Sequence, residues 1–320
     1  MSRVTVLTGG VGGAKLVLGL THLLGGENVT AIVNTGDDMV HMGLHVSPDI
    51  DTLLCTLAGK ADDAKGWGRA DETWTFMESV RSLGGPDWFQ LGDGDLALHV
   101  IRSAALADGI TLSEVTARFA QQWGVAARML PMTDTGVATR LSTDAGELDF
   151  QTYFVGRRCE PAIRSIAYVG AQTAKAAPGV LDAISDPGVT AIVIAPSNPW
   201  LSIDPILAVP GIREAIANAP APVVTVSPVR NGQSFKGPTA KIMIELGLPV
   251  DSATVASHYA GLIDGIVVDS EDACPVDSIQ IARADIAMPN LSRKIALASD
   301  VMTFAARIDD AQAFSRRNSR

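Results

Sequence analysis

A glycine-rich loop near the start of the chain has the composition of a phosphate-binding site. Residues 8–15 read TGGVGGAK, a strand-like run of β-branched residues precedes them, and apolar residues at helical spacing follow. Glycine has no Cβ, so the main chain can approach a ligand closely, and the first amides of a helix are unpaired and carry the positive end of its dipole. The residues predicted to bind phosphate here are Gly9, Gly10, Gly12, Gly13 and Lys15.

This loop matches neither of the two common phosphate-binding motifs. A dinucleotide fingerprint counted from Gly10 meets Lys15 where its third glycine should stand. A Walker loop needs Gly before the lysine and Ser or Thr after it, whereas Ala14 and Leu16 flank Lys15. The remaining alternatives are an anion site of another kind or a strand-to-helix turn without a ligand.

Carboxylates are concentrated in two loops that follow the second predicted strand. Residues 34–38 read NTGDD and residues 47–52 read SPDIDT. In an open α/β sheet the ligand binds beyond the carboxyl ends of the strands, so these loops should face the glycine loop. Carboxylates repel phosphates unless a divalent cation lies between them, and Mg²⁺ prefers one or two carboxylates with phosphate oxygens and water. A nucleotide-like substrate with bound Mg²⁺ is therefore predicted, and the alternative assigns Asp37 to a turn and Asp49 to a helix cap.

Three further stretches carry polar side chains that could belong to the same site. Residues 91–95 read LGDGD before a predicted helix that contains His99 and Arg102, and the alternative there is an ordinary capped helix start. Residues 195–199 read APSNP after a strand, which is typical of a turn at the ligand crevice. His41 and His45 have the spacing of a helical metal pair, but Gly43 between them argues against a helix and hence against a transition-metal site.

The elements that must position these loops follow a strand–helix alternation. β-branched runs at residues 4–7, 29–33, 166–169, 190–195, 223–226 and 263–268 alternate with helical patterns. This alternation predicts an α/β fold with a Rossmann-like, mostly parallel sheet that has helices on both faces.

The predicted organisation is one α/β domain over residues 1–320. Its Rossmann-like core spans about 1–48 and 160–270, a helical cap spans about 49–125, hairpin strands span about 127–154, and a C-terminal helix spans about 291–308. A capping box at residues 111–114, TLSE, precedes one helix of the cap.

Composition limits the classes of protein to which the chain can belong. It has 320 residues, a formal charge of −10 and a pI near 4.9, which argues against a nucleic-acid surface. The three cysteines are widely spaced and predict neither a disulfide framework nor a zinc site. No signal peptide and no apolar run of membrane-spanning length are visible, so we expect a cytoplasmic protein without membrane partners.

Taken in order, these stretches resemble one family, the 2-phospho-L-lactate transferases (CofD or FbiA) that make the deazaflavin coenzyme F420. The resemblance runs from residue 1 to about 270 and then fades. The matching stretches are residues 9–15, 33–38, 47–52, 66–68 with 71–74, 91–95, 130–134, 195–199 and 210–213.

The resemblance implies a Mg²⁺-dependent transfer of a phosphate-linked three-carbon acid. The donor would be a guanosine diphosphate-type compound that carries a phospholactyl or phosphoenolpyruvyl group (LPPG or EPPG), the acceptor would be the ribityl hydroxyl of Fo, and the leaving group would be GMP. Which three-carbon acid the donor carries stays open. A homodimer is expected, as is common for acidic metabolic enzymes.

The resemblance also implies roles for individual residues. Asp49 and Asp51 would be catalytic, and Asp37, Asp38 and Asp51 would hold the metal. Ser197, Asn198 and Pro199 would join the glycine loop in binding the donor. Residues implied in acceptor binding are Asp49, Asp93, Arg102 and Trp67.

One position departs from the family pattern. Relatives commonly have a basic residue between the two aspartates of the 91–95 turn, and this chain has Gly94 there. Arg69 or Arg102 is expected to replace that basic residue.

Two other functions agree less well with these residues. A YvcK-like sugar-nucleotide-binding regulator has a similar glycine loop, but the tryptophan-rich segment from Trp67 to Trp88 favours a flat aromatic acceptor. An NAD-dependent dehydrogenase needs an acidic residue at the end of the second strand, where Asn34 stands.

Overall fold

The computed structural model describes residues 2–62, 68–235, 237–276 and 279–318, with side chains up to residue 311. Its strands are β1 (Arg3–Thr8), β2 (Val29–Val33), β3 (Met39–His41), β4 (Leu44–Val46), β5 (Arg128–Pro131), β6 (Ala138–Thr143), β7 (Gly146–Asp149), β8 (Ile163–Val169), β9 (Val189–Ile194), β10 (Val223–Val226), β11 (Val229–Arg230), β12 (Gln233–Ser234), β13 (Gly265–Asp269) and β14 (Gln280–Ala284).

The α-helices are α1 (Gly10–Leu24), α2 (Pro48–Leu57), α3 (Thr75–Ser82), α4 (Asp93–Ala107), α5 (Leu112–Gln122), α6 (Val180–Ser185), α7 (Asp204–Leu207), α8 (Ile212–Ala217), α9 (Thr239–Glu245), α10 (Ser252–His258) and α11 (Leu291–Asn318). Short 3₁₀ turns lie at Gly26–Asn28 and Ala171–Thr173, and π-helical turns lie at Thr152–Gly156 and Pro199–Ile203.

A seven-stranded sheet forms the centre of the molecule, with the strand order β14-β13-β10-β9-β1-β2-β5. Every neighbouring pair in this sheet is parallel. The chain turns to opposite sides of β1, towards β2 and later towards β9, and ligands of open α/β sheets bind where the strand order reverses in this way. The predicted α/β fold with helices on both faces is confirmed.

Side chains of the sheet alternate between two hydrophobic cores. Val6, Ala31 and Val193 face the core that contains residues of α1, α2, α5 and α11. Leu7, Ile32 and Ile192 face the opposite core, which contains residues of α6, α8, α9 and α10. Because both faces are covered, central strands such as β9, VTAIVI, are nearly continuous in apolar residues.

Two strand assignments made from the sequence are wrong. The segment 127–131 was assigned to the hairpin region, but β5 pairs in parallel with β2 at the edge of the main sheet. The run 166–169 was assigned to the parallel series, but β8 pairs antiparallel with β6 in a separate sheet ordered β7-β6-β8. Half of β8 is exposed, which suits an antiparallel strand with one solvated face.

Other local features agree with the patterns that predicted them. Thr111 and Glu114 form the capping box at the start of α5. The turn at Asp144 and Ala145 joins β6 to β7. The C-terminal helix begins at Leu291 as expected and continues past residue 308 to Asn318. Within the described residues, no helix combines the length and apolar character that a membrane crossing requires.

Candidate active site

The glycine loop joins β1 to α1 and is locked to the turn that follows β9. Gly10 has φ +64°, a left-handed conformation that favours glycine. A Cβ at Gly12 would lie 2.6 Å from the carbonyl oxygen of Pro196, so only glycine permits these two segments to come so close. Ser197 Oγ accepts a hydrogen bond from the Gly9 amide at 3.2 Å and donates one to the Gly9 carbonyl at 2.7 Å. The two loops therefore form one rigid unit at the carboxyl edge of the sheet.

Asn198 shapes the second of these loops. Its Oδ1 accepts hydrogen bonds from the amides of Trp200 and Leu201, and its Nδ2 donates to Thr239 Oγ1 at 3.1 Å. Pro199 begins the π-helical turn and is buried in it. These contacts give the Asn-Pro pair a structural role in the turn that follows β9.

Asp49 connects the acidic segment to the glycine loop. It lies in the first turn of α2, where its Oδ1 accepts from the Gly10 amide at 2.7 Å and its Oδ2 accepts from Asn34 Nδ2 at 2.9 Å. Burial raises the pKa of Asp49 to about 6, against the lowering effect of the Asn34 and Gly10 hydrogen bonds. Ser47 occupies the N-cap position of α2, so Asp49 is not the helix cap.

Asp37 and Asp38 are neighbours with different surroundings. Asp37 is buried, its Oδ1 has no hydrogen-bond partner, and burial together with the nearby Asp49 raises its pKa well above the usual range. Asp38 Oδ2 accepts from Ser47 Oγ at 2.7 Å and lies 3.0 Å from His45 Nε2. Burial raises the pKa of Asp38, and its contact with His45 opposes that rise.

Asp51 forms a bidentate ion pair with Arg102 of α4. Arg102 Nη1 lies 3.1 Å from Asp51 Oδ2, and Nη2 contacts Asp51 Oδ1. His99 Nδ1 lies 3.7 Å from Asp51 Oδ2, and burial, with the positive charge of Arg102 contributing, lowers the pKa of His99 to about 4. His99 is therefore neutral near pH 7.

Asp37, Asp49, Asp51 and His99 line one cavity of about 900 Å³ at the carboxyl edge of the main sheet. Gly12 and Asp51 both line it, as the sequence interpretation requires. The predicted site residues that line the cavity are Gly9, Gly10, Gly12, Lys15, Asp37, Asp49, Asp51, Ser197 and Asn198. Those described residues that do not line it are Gly13, Asp38, Asp93, Arg102 and Pro199.

The predicted residues outside the cavity wall have structural contacts instead. A Cβ at Gly13 would lie 2.6 Å from Ser197 Oγ, so Gly13 permits the packing of α1 on the 195–199 turn. Asp93 accepts from the amides of Thr75 and Phe76 and thereby caps α3. These hydrogen bonds lower the pKa of Asp93, and the one from Thr73 Oγ1 has the largest effect. These contacts leave Asp93 directed at α3 and not at an acceptor.

Arg69 occupies the space beside Gly94. A Cβ at Gly94 would collide with the Arg69 guanidinium, and Arg69 Nη1 lies 3.8 Å from Glu72 Oε1. Glu72 in turn accepts from the amides of Gly94 and Asp95 at the start of α4. Of the two arginines expected to replace a basic residue at position 94, Arg69 is the one located there.

The aromatic residues at the cavity differ from those expected. Trp67 lies outside the described residues, and Trp88 packs edge-on against His41 with 5.2 Å between ring centroids and does not line the cavity. Phe89, Phe150 and Phe154 line it instead, and the last two rings are stacked at 5.3 Å. Sequence reasoning missed Phe150 and Phe154, and the only signal was two aromatic residues four positions apart before an irregular segment.

The donors that could hold a divalent cation are limited. In the described part of the chain, no cluster of three or more His, Cys, Asp or Glu side chains has the arrangement of a metal site. The unpartnered Asp37 Oδ1 beside Asp49 fits Mg²⁺ nevertheless, since this ion is often bound by one or two carboxylates with substrate phosphates completing its shell. His41 and His45 lie on the β3–β4 hairpin and not on a helix.

Cys55 also lines the cavity, but its thiol is unsuited to nucleophilic chemistry. Burial, followed by the charges of Asp95 and Asp51, raises its pKa to about 12. A thiol must ionise to attack. The cavity thus brings the glycine loop and Lys15 together with the carboxylates of Asp37, Asp49 and Asp51.

Comparison with known families places the chain among transferases. The family model described as 2-phospho-L-lactate transferase CofD matches residues 4–296. A phosphoenolpyruvate transferase of Streptomyces coelicolor is 41% identical over 320 residues, which cover 97% of this chain and 100% of that protein.

Two further relatives have the same name. A phosphoenolpyruvate transferase of Streptomyces griseus is 44% identical and covers 88% of this chain and 89% of its own length. The one of Mycolicibacterium smegmatis is 38% identical and covers 89% of this chain and 93% of its own length.

Among solved structures, a UPF0052 family protein from Bacillus halodurans has the same fold. It is 19% identical, the TM-score is 0.63, and the match covers 94% of this chain and 99% of that one. At this identity the likeness bears on the fold alone.

Proposed function

Because this chain belongs to the 2-phospho-L-lactate transferase CofD family and is a transferase, we propose that it moves a phosphoenolpyruvyl group from a guanosine diphosphate-type donor to the ribityl hydroxyl of Fo. GMP is released, and the product is the dehydro form of coenzyme F420-0. The enolpyruvyl donor is chosen over the lactyl donor because the relatives of 38 to 44% identity are named phosphoenolpyruvate transferases.

The observation that carries this proposal is that Gly12 and Asp49 line one cavity. The Gly10 amide donates to Asp49, and the amides that follow it in the first turn of α1 offer hydrogen-bond donors to the donor's diphosphate; Lys15 adds a positive charge on the same side of the cavity. Transfer of a substituted phosphate requires mainly positioning and neutralisation of charge, which these groups supply.

Asp37 is the residue that would hold Mg²⁺, through its unpartnered Oδ1. A bound Mg²⁺ would supply positive charge that offsets the negative charge of the donor's diphosphate. Such an ion would reduce the repulsion between the Asp37 carboxylate and a phosphate in the same cavity. Asp38 contributes indirectly, since its contacts with His45 and Ser47 hold the loop that carries Asp37.

Asp49 and Asp51 have separable roles in this proposal. The donors that hold Asp49, the Gly10 amide and Asn34 Nδ2, are neutral, so Asp49 keeps the basicity needed to accept the proton of the attacking hydroxyl. Asp51 is neutralised by Arg102 and is better suited to orienting a hydroxyl by hydrogen bonding. The catalytic base would therefore be Asp49.

The aromatic wall of the cavity supports a flat acceptor. Phe150 and Phe154 are stacked with 15° between ring planes, and Phe154 is 39% exposed, so an apolar face remains accessible beside the cavity. A deazaflavin ring could stack there, because aromatic pairs gain about 1 kcal/mol beyond the area they bury. Phe89 lines the same cavity.

The test is turnover with the two donors side by side. Purified protein, Fo and Mg²⁺ are mixed with guanylylated phosphoenolpyruvate or with guanylylated 2-phospholactate, and GMP and the anionic deazaflavin are separated by chromatography. We expect GMP release with the enolpyruvyl donor, and removal of Mg²⁺ by a chelator should stop it. Faster GMP release with the lactyl donor would support the transfer reaction but would show that the enolpyruvyl group is not the preferred one.

A YvcK-like regulator of the same fold is the alternative function. It predicts no GMP release with either donor and tight binding of a uridine sugar nucleotide, which isothermal titration calorimetry would detect. That pair of results would replace the transferase proposal.

A further inference from the structure

Arg102 is a buried cation that does not line the cavity but binds Asp51, which does. It is fully buried in α4, and its guanidinium binds both carboxylate oxygens of Asp51. Two parallel N–H···O contacts of this kind fix the plane of a carboxylate as well as its distance. The Asp51 side chain is 13% exposed and lines the cavity, whereas Arg102 does not.

The guanidinium is held from three other sides. Arg102 Nη1 lies 3.4 Å from the His45 carbonyl and 3.3 Å from His99 Nδ1, and the Phe119 ring centroid lies 5.7 Å from its central carbon. Nη1 has two N–H groups for three neighbouring acceptors, Asp51 Oδ2 among them, so at least one N–H is shared. Arginine has no acceptor atom, so a hydrogen bond from Arg102 to His99 requires that the proton of the neutral His99 ring reside on Nε2. The position of Arg102, and with it that of Asp51, is therefore set by β4, α4 and α5.

We propose that Arg102 is a positioning residue that fixes Asp51 as a hydrogen-bond acceptor for the hydroxyl-bearing substrate; this inference rests on the proposed transfer reaction. Because the Arg102–Asp51 pair is neutral as a whole, Asp51 can lie near a diphosphate with less repulsion than a lone carboxylate would cause. Arg102 itself touches no substrate. Its conversion to lysine keeps the charge but removes the planar fork.

The kinetic test is a double-mutant cycle with Asp51→Asn and Arg102→Lys. Asp51→Asn is expected to lower kcat about a hundredfold, the scale of losing one electrostatic contact in the transition state. Arg102→Lys is expected to lower kcat about tenfold with KM for the donor changed less than about twofold, and the double variant should be no worse than Asp51→Asn. Losses that multiply in the double variant would show that Arg102 does not act through Asp51.

A matched control is Arg3→Lys. Arg3 also forms a two-contact pair with a carboxylate, Asp186, but at the amino-terminal edge of the sheet, away from the cavity. Its variant should keep wild-type kcat. If kcat fell equally in Arg3→Lys and Arg102→Lys, general destabilisation would explain both results and the proposal would be overturned.

Two readouts do not depend on turnover, so they separate this inference from the proposed function. In a crystal structure of Arg102→Lys, or of Arg102→Met if the lysine variant does not fold, we expect the Asp51 carboxylate to leave its wild-type position; an unmoved carboxylate would overturn the proposal. In the wild-type protein, ¹⁵N NMR of His99 should show the proton on Nε2, and a proton on Nδ1 would contradict the contact with Arg102. If both readouts agree with the expectation but the wild-type protein has no transferase activity, the proposed reaction is wrong and the positioning of Asp51 by Arg102 stands.

Discussion

Asp49 and Asp51 are two positions apart in α2, yet their carboxylates have different partners. Asp49 is bound by neutral donors of the glycine loop and of Asn34, the residue after β2, and Asp51 is bound by a buried arginine. Two carboxylates with unlike surroundings can have unlike functions within one site. The distinction depends on Asn34 and Arg102, which belong to other elements.

We expect Asp49→Asn to lower kcat at least about a hundredfold, the scale of losing a general base. The asparagine has one acceptor oxygen and cannot accept from both Gly10 and Asn34, so KM for the donor should rise as well. Steady-state kinetics with Asp186→Asn as a control distant from the cavity would measure this. Near-normal kcat in the Asp49 variant would remove Asp49 from the reaction.

Asp95 makes the stability of the protein depend on pH. Burial, then the charges of Glu72 and Asp51, raises its pKa to about 6 from the ordinary value of 3.8. Between these values the folded chain holds a proton that the unfolded chain has released, so stability falls as the pH rises through this window and the loss is complete above about pH 6. After a discount for partial exposure, the ionised carboxylate costs on the order of 2 kcal/mol near neutral pH.

Asp95→Asn should therefore raise the free energy of unfolding by on the order of 2 kcal/mol at about pH 7.5, and the gain should shrink towards pH 4. Urea denaturation at several pH values would measure it. Asp108→Asn is the control, because Asp108 is exposed at the other end of the same helix and should show no such trend. A gain that does not vary with pH would contradict the assignment to Asp95.

At this scale, the sequence predicted the residue types of the site better than their contacts. Gly12, Asp37 and Ser197 could be found because each lies within a few residues after a strand that ends at the ligand edge of a parallel sheet. The partner of Arg102 could not be found, because Asp51 is 51 positions away and an arginine is expected to be exposed. Phe150 and Phe154 were missed for a related reason, since only the tertiary fold brings them to the cavity.

At the scale of elements, α1 is fixed at two glycines by backbone atoms of other segments. Gly12 lies against the Pro196 carbonyl at the start of the helix, and Gly19 lies against the Lys294 carbonyl of α11. Both contacts leave no room for a Cβ. They differ in that only Gly12 lines the cavity.

Gly12→Ala and Gly19→Ala are therefore a matched pair. Each should destabilise the protein by about 1–3 kcal/mol, because an extra methyl group meets a packed backbone. Only Gly12→Ala should raise KM for the donor, by about tenfold or more, since it displaces the amides of the glycine loop. Thermal melts and steady-state kinetics would test this, and equal KM effects in the two variants would refute the special role of Gly12.

The elements themselves were predictable where the pattern was local. The capping box of α5 and the β6–β7 turn are read from a few adjacent residues. The partners of β5 and β8 were not, because a four-residue or seven-residue apolar run does not state which strand it pairs with. The edge strand β14 was also missed, since its run QIARA has little apolar character.

At the scale of the whole molecule, the cavity is built from segments that are distant in sequence. Its walls include some of the residues in each of the segments 9–15, 37–55, 150–155, 196–202 and 286–289. A ligand that bridges such segments binds the folded chain and not the unfolded one. Ligand binding and global stability should therefore be linked.

GDP with Mg²⁺ should raise the melting temperature of the protein. At about a hundred times its dissociation constant a ligand adds about 2.7 kcal/mol, which corresponds to a shift of about 4 °C for a chain of this size. Differential scanning calorimetry with GDP, with GDP and a chelator, and with a uridine sugar nucleotide would separate the candidates. A shift with the uridine compound alone would favour the regulator over the transferase.

The position of β1 in the middle of the main sheet has a consequence for synthesis on the ribosome. Val4 pairs with Val29 on one side and with Ala191 on the other. Until Ala191 has been synthesised, one hydrogen-bonding edge of β1 stays open. The main chain of Gly9 likewise lacks its hydrogen bonds with the Ser197 hydroxyl until that residue has been added. The emerging polypeptide thus exposes an apolar strand edge for most of its translation, which is the kind of surface that chaperones shield.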